Sequence, residues 1–223
     1  MKTTYNLSSA MNFLNDLREH NNKAWFDQNR AAYEAAKGNF EQFVDDLISK
    51  VDAFENLRGL SAKECVSRIN RDIRFSKDKS PYKTNMSAMI APGGRKSEKL
   101  GYHLSIEPHD QSIIAGGLYM PATEQLAHFR QAIDRDASEL KRIVKNKTFV
   151  QYFGSIEGEK LATAPQGYSR THPEVELLRL KQIVVVHHFS DKEVLSSNFA
   201  AAAAKASKAM KPFLDYLNTV APL

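Results

Sequence analysis

The hydrophobic period changes twice along this chain, and that change restricts the fold more than any single motif does. Up to Val51, apolar side chains recur at helical spacing. They are Ala10, Phe13, Leu14 and Leu17 in "SSAMNFLNDLREH", then Trp25, Phe26 and Tyr33 in "NNKAWFDQNRAAYEAAK". Phe40, Phe43, Val44, Leu47 and Val51 follow in "NFEQFVDDLISKVDAF". The spacing predicts helices, the first capped by a serine and the second by Asn22, with a break at Gly38 before the third. The period then shortens to two. "MSAMIAP", "GYHLSIEP" and "QSIIAGGLYM" are short, β-prone runs bounded by turn residues. In the second, Tyr102, Leu104 and Ile106 alternate with His103, Ser105 and Glu107, the pattern of a strand with two unlike faces. "PHD" joins the last two runs into an antiparallel hairpin, and "PGGRKSEKLG" is expected to be a mobile, solvated loop.

Helical spacing returns at Pro121. Leu126, Phe129, Ile133, Leu140 and Val144 make one apolar stripe. "LATAPQGYSRTHPEVELL" is a loop entering a short helix, with Pro173 suited to its first turn, and "QIVVVHHF" is a further strand. "SDKEVLSSNFAAAAAKASKAMKPFLDYLNTV" is expected to be one long helix, opened by a Ser190–Glu193 capping box and kinked or split by Pro212 near Lys211. Helices, then strands, then helices predict an α+β fold: a mainly antiparallel sheet packed with several helices, one of them long and C-terminal. No repeat, low-complexity tract or shift in composition divides the chain, so residues 1–223 are expected to form a single domain.

Several function classes drop out. Nowhere do eighteen apolar residues run together, so no transmembrane helix and no membrane partner are expected. The first twenty residues lack the apolar run of a secretory leader. Cys65 is the only cysteine, which removes an intrachain disulfide and a cysteine-based zinc cage. The expected location is the cytoplasm. No Walker-type loop, GxGxxG fingerprint or GxSxG elbow occurs, so no cofactor is named. Seven histidines without HExxH give little reason to expect a metal. His187 and His188 are adjacent on a strand and must point to opposite faces.

The positive charge is local. Residues 63–99 hold ten Lys/Arg against Glu64, Asp72, Asp78 and Glu98, a local charge of +6 in a chain whose total is +5, leaving −1 elsewhere. Non-specific nucleic-acid binders spread basic residues over a broad face. Concentration in one segment favours a pocket or groove. Its centre is "RINRDIRFSKDKSPYKTN", residues 68–85. If residues 66–75 are extended, Arg68, Asn70, Asp72 and Arg74 share one face, and Ile69, Arg71, Ile73 and Phe75 the other. Arg71 is then a guanidinium among apolar neighbours and needs a partner. A protein carboxylate, backbone carbonyls, or a ligand carboxylate or phosphate would serve. The Ser80-Pro81-Tyr82 corner would aim Tyr82 and Lys83 in fixed directions. Arg68, Arg71, Arg74, Lys77, Lys79, Tyr82 and Lys83 together suit a small anion with a flat or sugar-like body. The opposing reading is a structural brace in which Asp72 and Asp78 absorb the same cations.

With "NNKAWFDQNRAAY" upstream, and "GYHLSIEP", "IIAGGLYMP", "LAHFRQAI" and "APQGYSRTHPEVELLRLKQIVV" downstream, the segment resembles the family called domain of unknown function 2461. The matches lie in order across nearly the whole chain. The resemblance implies a lone α+β domain and supplies no activity, cofactor or catalytic residue. It marks Arg71, Asp72, Arg74, Phe75, Lys77, Asp78, Lys79, Pro81, Tyr82 and Lys83 as motif positions.

Other candidates stand outside the motif. Gly116 and Gly117 could mark a bulge or a close approach of a ligand, with Tyr119 after them as a second aromatic wall or, alternatively, a core residue. Tyr168, Arg170 and His172 lie on a loop before a helix, where anions are favoured, unless Thr171 or His172 serves as a cap and Arg170 points to solvent. Were the protein an enzyme, Asp72, Glu107 or His172 would carry acid–base work, with phosphoester chemistry the first class to test. Cys65, beside the basic segment, is a remote nucleophile and more simply a small buried residue. Three partner classes stay open: a small phosphorylated or carboxylated ligand, nucleic acid held on the phosphate backbone, and a scaffold with no ligand.

Overall fold

The computed structural model describes residues 5–222. The expectation about a secretory leader rests partly on residues 1–4, which lie outside the described residues. The chain opens with three helices, α1 (Ser8–Glu19), α2 (Lys23–Gln28) and α3 (Arg30–Val51). Their starts and stops differ from the sequence reading. No serine caps α1; Asn6 Oδ1 instead accepts the Ser8 N–H at 2.9 Å. Asn22 does cap α2, accepting the Trp25 N–H at 3.0 Å. The break falls at Asn29 rather than Gly38. The Asn29 side-chain amide donates to the Trp25 carbonyl at 2.9 Å, the local competition that disfavours Asn inside helices. Helix α3 passes through Gly38 because Ala36, Phe40, Phe43, Val44 and Leu47 are all buried along one side, and packing outweighs one poor helix former.

After the one-turn α4 (Ala62–Cys65) come β1 (Met86–Ile90), β2 (Tyr102–Ile106) and β3 (Ser112–Leu118). The fourth strand, β4 (Ile183–Phe189), enters much later. They form one antiparallel sheet in the order β1-β2-β3-β4. The fold is therefore α+β. Leu104, Ile114 and Val185 point to one side and are fully buried, against α3 and α10 (Phe199–Val220). Residues 66–75 are not a strand: only Val66 and Asn70 make isolated bridges, to Ala88 and Tyr82. The "PGGRKSEKLG" link is pinned rather than free. Its one-turn 3-10 helix, Gly94–Lys96, places Arg95 so that Nε and Nη2 donate to the Glu64 and Lys63 carbonyls at 3.1 and 3.2 Å. The Leu100 N–H reaches Asn218 Oδ1 at 2.8 Å.

Between β3 and β4 run α5 (Thr123–Arg135), α6 (Ser138–Val144), α7 (Lys147–Phe153) and the one-turn α8 (Val175–Leu178), which Pro173 precedes without entering. The single stripe expected after Pro121 is split at Asp136, whose carboxylate accepts the Ser138 N–H and hydroxyl at 2.8 and 3.0 Å. The Ser190–Glu193 capping box is present but belongs to a separate turn, α9 (Asp191–Val194). Helix α10 begins afresh at Phe199 and runs through Pro212 unbroken. Buried Met210, Phe213, Leu214 and Leu217 hold it to the core on both sides of the proline.

Gly116 explains how close α10 comes to the sheet. A Cβ there would lie 2.5 Å from Met210 Sδ and 3.1 Å from Leu214 Cδ2. Gly117 has φ +124°, and a Cβ would lie 2.1 Å from the Ile183 carbonyl oxygen, a conformation open to glycine. Pairing continues past both residues to Leu118–Ile183. The glycines serve helix and strand packing.

Candidate functional site

The basic segment folds as a short hairpin without regular strands. The Arg71 N–H donates to Pro81 O at 2.9 Å, and the Lys83 N–H donates to Ile69 O at 2.8 Å. Residues 72–80 form the loop between these arms. Ile69 and Tyr82 are both buried, while Arg68 is exposed. Tyr82 is not a free ligand-facing ring. It stacks on Phe26 with centroids 4.0 Å apart and 16° between planes. The Asn21 side chain grips its peptide, so the hairpin is fixed to the α1–α2 corner.

The cations divide into two groups. In the first, the protein supplies the partner. Arg74, exposed, is held by Asp72 through Nε and Nη2 at 3.0 and 2.7 Å. The Lys79 ammonium donates to Ile73 O at 3.0 Å. Arg71 pairs with Asp78 and reaches Ser80 O and Ser76 Oγ, both at 3.3 Å. Asp78 also accepts the Ser80 hydroxyl and N–H at 2.6 and 2.9 Å. Those two hydrogen bonds, with Arg71 added, hold its carboxyl far below the usual range. These are ion pairs of the kind the opposing reading expected, made by Arg71 and Arg74.

The second is Lys83, which faces a cleft of about 400 Å³ that Arg18, Asn21, Arg71, Asp78 and Asn85 also line, among others. Lys83 is half-buried. Burial, helped by the Arg68 charge, lowers its ammonium below the ordinary lysine range, and no carboxylate offsets them. Asn85 Oδ1 is buried with no hydrogen-bond partner, although such groups are normally satisfied. Arg18, at 3.2 Å from Glu107 Oε1, closes one side. Thr84 donates to the same carboxylate at 2.8 Å. Of the residues expected to bind ligand, Arg71, Tyr82 and Lys83 line this cleft, with Arg68 near enough to act on Lys83.

The others lie elsewhere. Arg74 and Lys77 are exposed on the loop. Tyr119 is 68% exposed, not a core residue, and lines a separate, larger cleft on the other face of the sheet. Arg170 is exposed. His172 joins α5 to α8: its Nδ1 accepts the Glu174 N–H at 3.0 Å and Nε2 faces Asp134 at 3.2 Å. Asp72, Glu107 and His172 therefore do not converge, and each is engaged by protein groups. Cys65 is buried, and burial pushes its thiol up to about 12, which suits a packed side chain rather than a nucleophile. Among the described residues, no three His, Cys, Asp or Glu group as a metal site, and no helix is long and apolar enough to cross a membrane. Arg18 lies outside the motif runs, and Asn21 and Asn85 stand at the ends of two of them, where nothing in the pattern singled them out. They join the site through the α1–α2 corner and the run into β1.

A family model described as "Conserved hypothetical protein (DUF2461)" matches residues 9–216. The chain belongs to that family. No curated protein and no solved structure gave a match.

Proposed function

We propose that the protein binds a small phosphorylated or carboxylated molecule in the cleft beside the basic hairpin. Lys83 supplies the main charge, Arg71 and Arg18 flank it, and Asn85 accepts a hydrogen bond from the body of the ligand. The observation that carries this reading is Lys83: a half-buried ammonium that makes no ion pair among the described residues. An unpaired cation removed from water is costly, and an arriving anion would offset that cost by a charge-assisted hydrogen bond. Arg71, fixed by Asp78, is pre-organised and retains N–H capacity toward the cleft, since a guanidinium has five donors. The reading stops at binding, because Asp72, Glu107 and His172 are dispersed. Titration with inorganic phosphate, followed by calorimetry and thermal shift, tests it: saturable binding supports the proposal, and silence at millimolar phosphate in low salt refutes it.

A second reading draws on Phe75, which is 95% exposed, with the Arg74 guanidinium 5.9 Å from its ring centroid. Such a ring could stack on an unpaired base beside cations that follow the backbone. It requires affinity for single-stranded nucleic acid that falls steeply with salt.

A further inference from the structure

The sheet face turned away from α3 and α10 carries a row of four residues paired strand to strand. Met89 is opposite His103, His103 is opposite Ala115, and Ala115 is opposite Val186. All four line one cleft of about 850 Å³, within the range of small-molecule sites. The hollow has a sequence cause. Ala115 and Gly117, the central positions on this face of β3, carry almost no side chain, while Met89, Val184 and Val186 stand on the flanking strands. At the lip, Tyr119 and Met120 are exposed apolar side chains.

His103 brings an imidazole into this apolar floor. Burial, with the Lys83 charge added, lowers its pKa below the ordinary imidazole value, and the ring makes no hydrogen bond among the described residues. A ring with a donor and an acceptor and no protein partner invites a polar group of a ligand. The rim charges are unequal: Arg95 and Lys99 beside the β1–β2 link, against Glu157 beyond β4. Arg95 spends its N–H groups on the carbonyls of Lys63, Glu64 and Val66. Lys99 is exposed and has no such anchor among the described residues. Strands are spaced about 4.8 Å apart, so β1 and β4 are about 14 Å apart, room for a two-ring body.

We infer that this cleft is a second binding site, for a small acid with a flat apolar body. The body lies on the Met89–His103–Ala115–Val186 row, a hydrogen-bonding group meets His103, and the acid reaches Lys99. The site shares no lining residue with the Lys83 cleft and stands independently of the phosphate reading.

The test uses 8-anilinonaphthalene-1-sulfonate, a flat apolar body with one acid, and its uncharged relative N-phenyl-1-naphthylamine. The expected result is saturable one-to-one fluorescence with the sulfonate, on protein that still melts cooperatively, and about tenfold weaker binding of the uncharged dye. Ala115→Phe should fill the hollow and abolish binding. Should that variant not fold, exposed Lys99→Gln carries the same test and should weaken the sulfonate to the level of the neutral dye. Added phosphate should leave dye binding unchanged, which separates this site from the other cleft. Absence of sulfonate binding, equal binding of both dyes, binding unaltered in Ala115→Phe or Lys99→Gln, or a concentration-dependent dimer that excludes the dye would overturn the inference.

Discussion

Asn21 holds the peptide of Tyr82 from both sides: its side-chain amide donates to the Tyr82 carbonyl at 3.0 Å, and its side-chain oxygen accepts the Tyr82 N–H at 3.1 Å. Through this pair the α1–α2 corner positions the basic hairpin. Asn21→Ala leaves a backbone donor and acceptor without partners and should cost about 1–3 kcal/mol in urea unfolding. An unchanged midpoint would show that the clamp contributes nothing.

The Tyr82 ring tests packing against recognition. Tyr82→Ala removes a buried ring stacked on Phe26 and should destabilise by about 3 kcal/mol or more. Tyr82→Phe keeps the stack and should melt close to the native protein, with its phosphate response intact. If Tyr82→Phe folds normally but loses that response, the phenol is a ligand contact after all.

Gly116→Ala forces a methyl group against Met210 and Leu214 and should destabilise by about 1–3 kcal/mol. Gly117→Ala should be worse, because its φ is positive and its obstacle is the Ile183 backbone. Thermal melts of the two variants check the order. The reverse order would place the constraint in the helix rather than in the strand.

The pH dependence follows from His103. Its folded-state pKa is depressed, while in the unfolded chain it titrates near 6.5. Below about pH 6.5 the unfolded state takes up a proton that the folded state refuses, so stability declines as pH falls through that value and onward to the folded pKa. His103→Leu should flatten this part of the stability profile, with Lys83 still charged beside it. A slope identical in both proteins would assign it to other groups. Asp78 acts in the same sense but at lower pH, its folded pKa being depressed by Ser80 and Arg71. Its contribution is full above the ordinary carboxylate range and is lost only as pH falls well below it. Because Asp78 is exposed, Asp78→Ala should chiefly open residues 72–80 to protease at neutral pH, with little change in the global midpoint.

Much of the sheet was legible in the sequence, because period-two alternation and turn residues bound each strand locally. Helix ends were less so. Asn29 and Asp136 stop helices through side-chain hydrogen bonds, whereas Gly38 and Pro212 fail to stop them because buried neighbours on both sides hold the helix together. The basic segment was visible as charge, but its division was not. Asp78 folds back on Arg71 by a loop geometry that spacing does not encode, and an extended reading of residues 66–75 misplaced that arginine. Arg18, Asn21 and Asn85 reach the cleft only through the fold. The hollow beneath Tyr119 arises from Ala115 and Gly117, two positions apart on one face of β3 and flanked across the sheet by larger side chains, a register effect.

Lys83→Met is the most direct measurement. If Lys83 is a partly desolvated cation awaiting an anion, then in phosphate-free, low-salt buffer at pH 7 the variant should melt no lower than the native protein, and higher if the buried charge is the larger effect. Phosphate should raise the melting temperature of the native protein and leave that of Lys83→Met unchanged. Equal phosphate shifts in both proteins, or a variant that unfolds because the ammonium was a structural tie, would contradict the anion site.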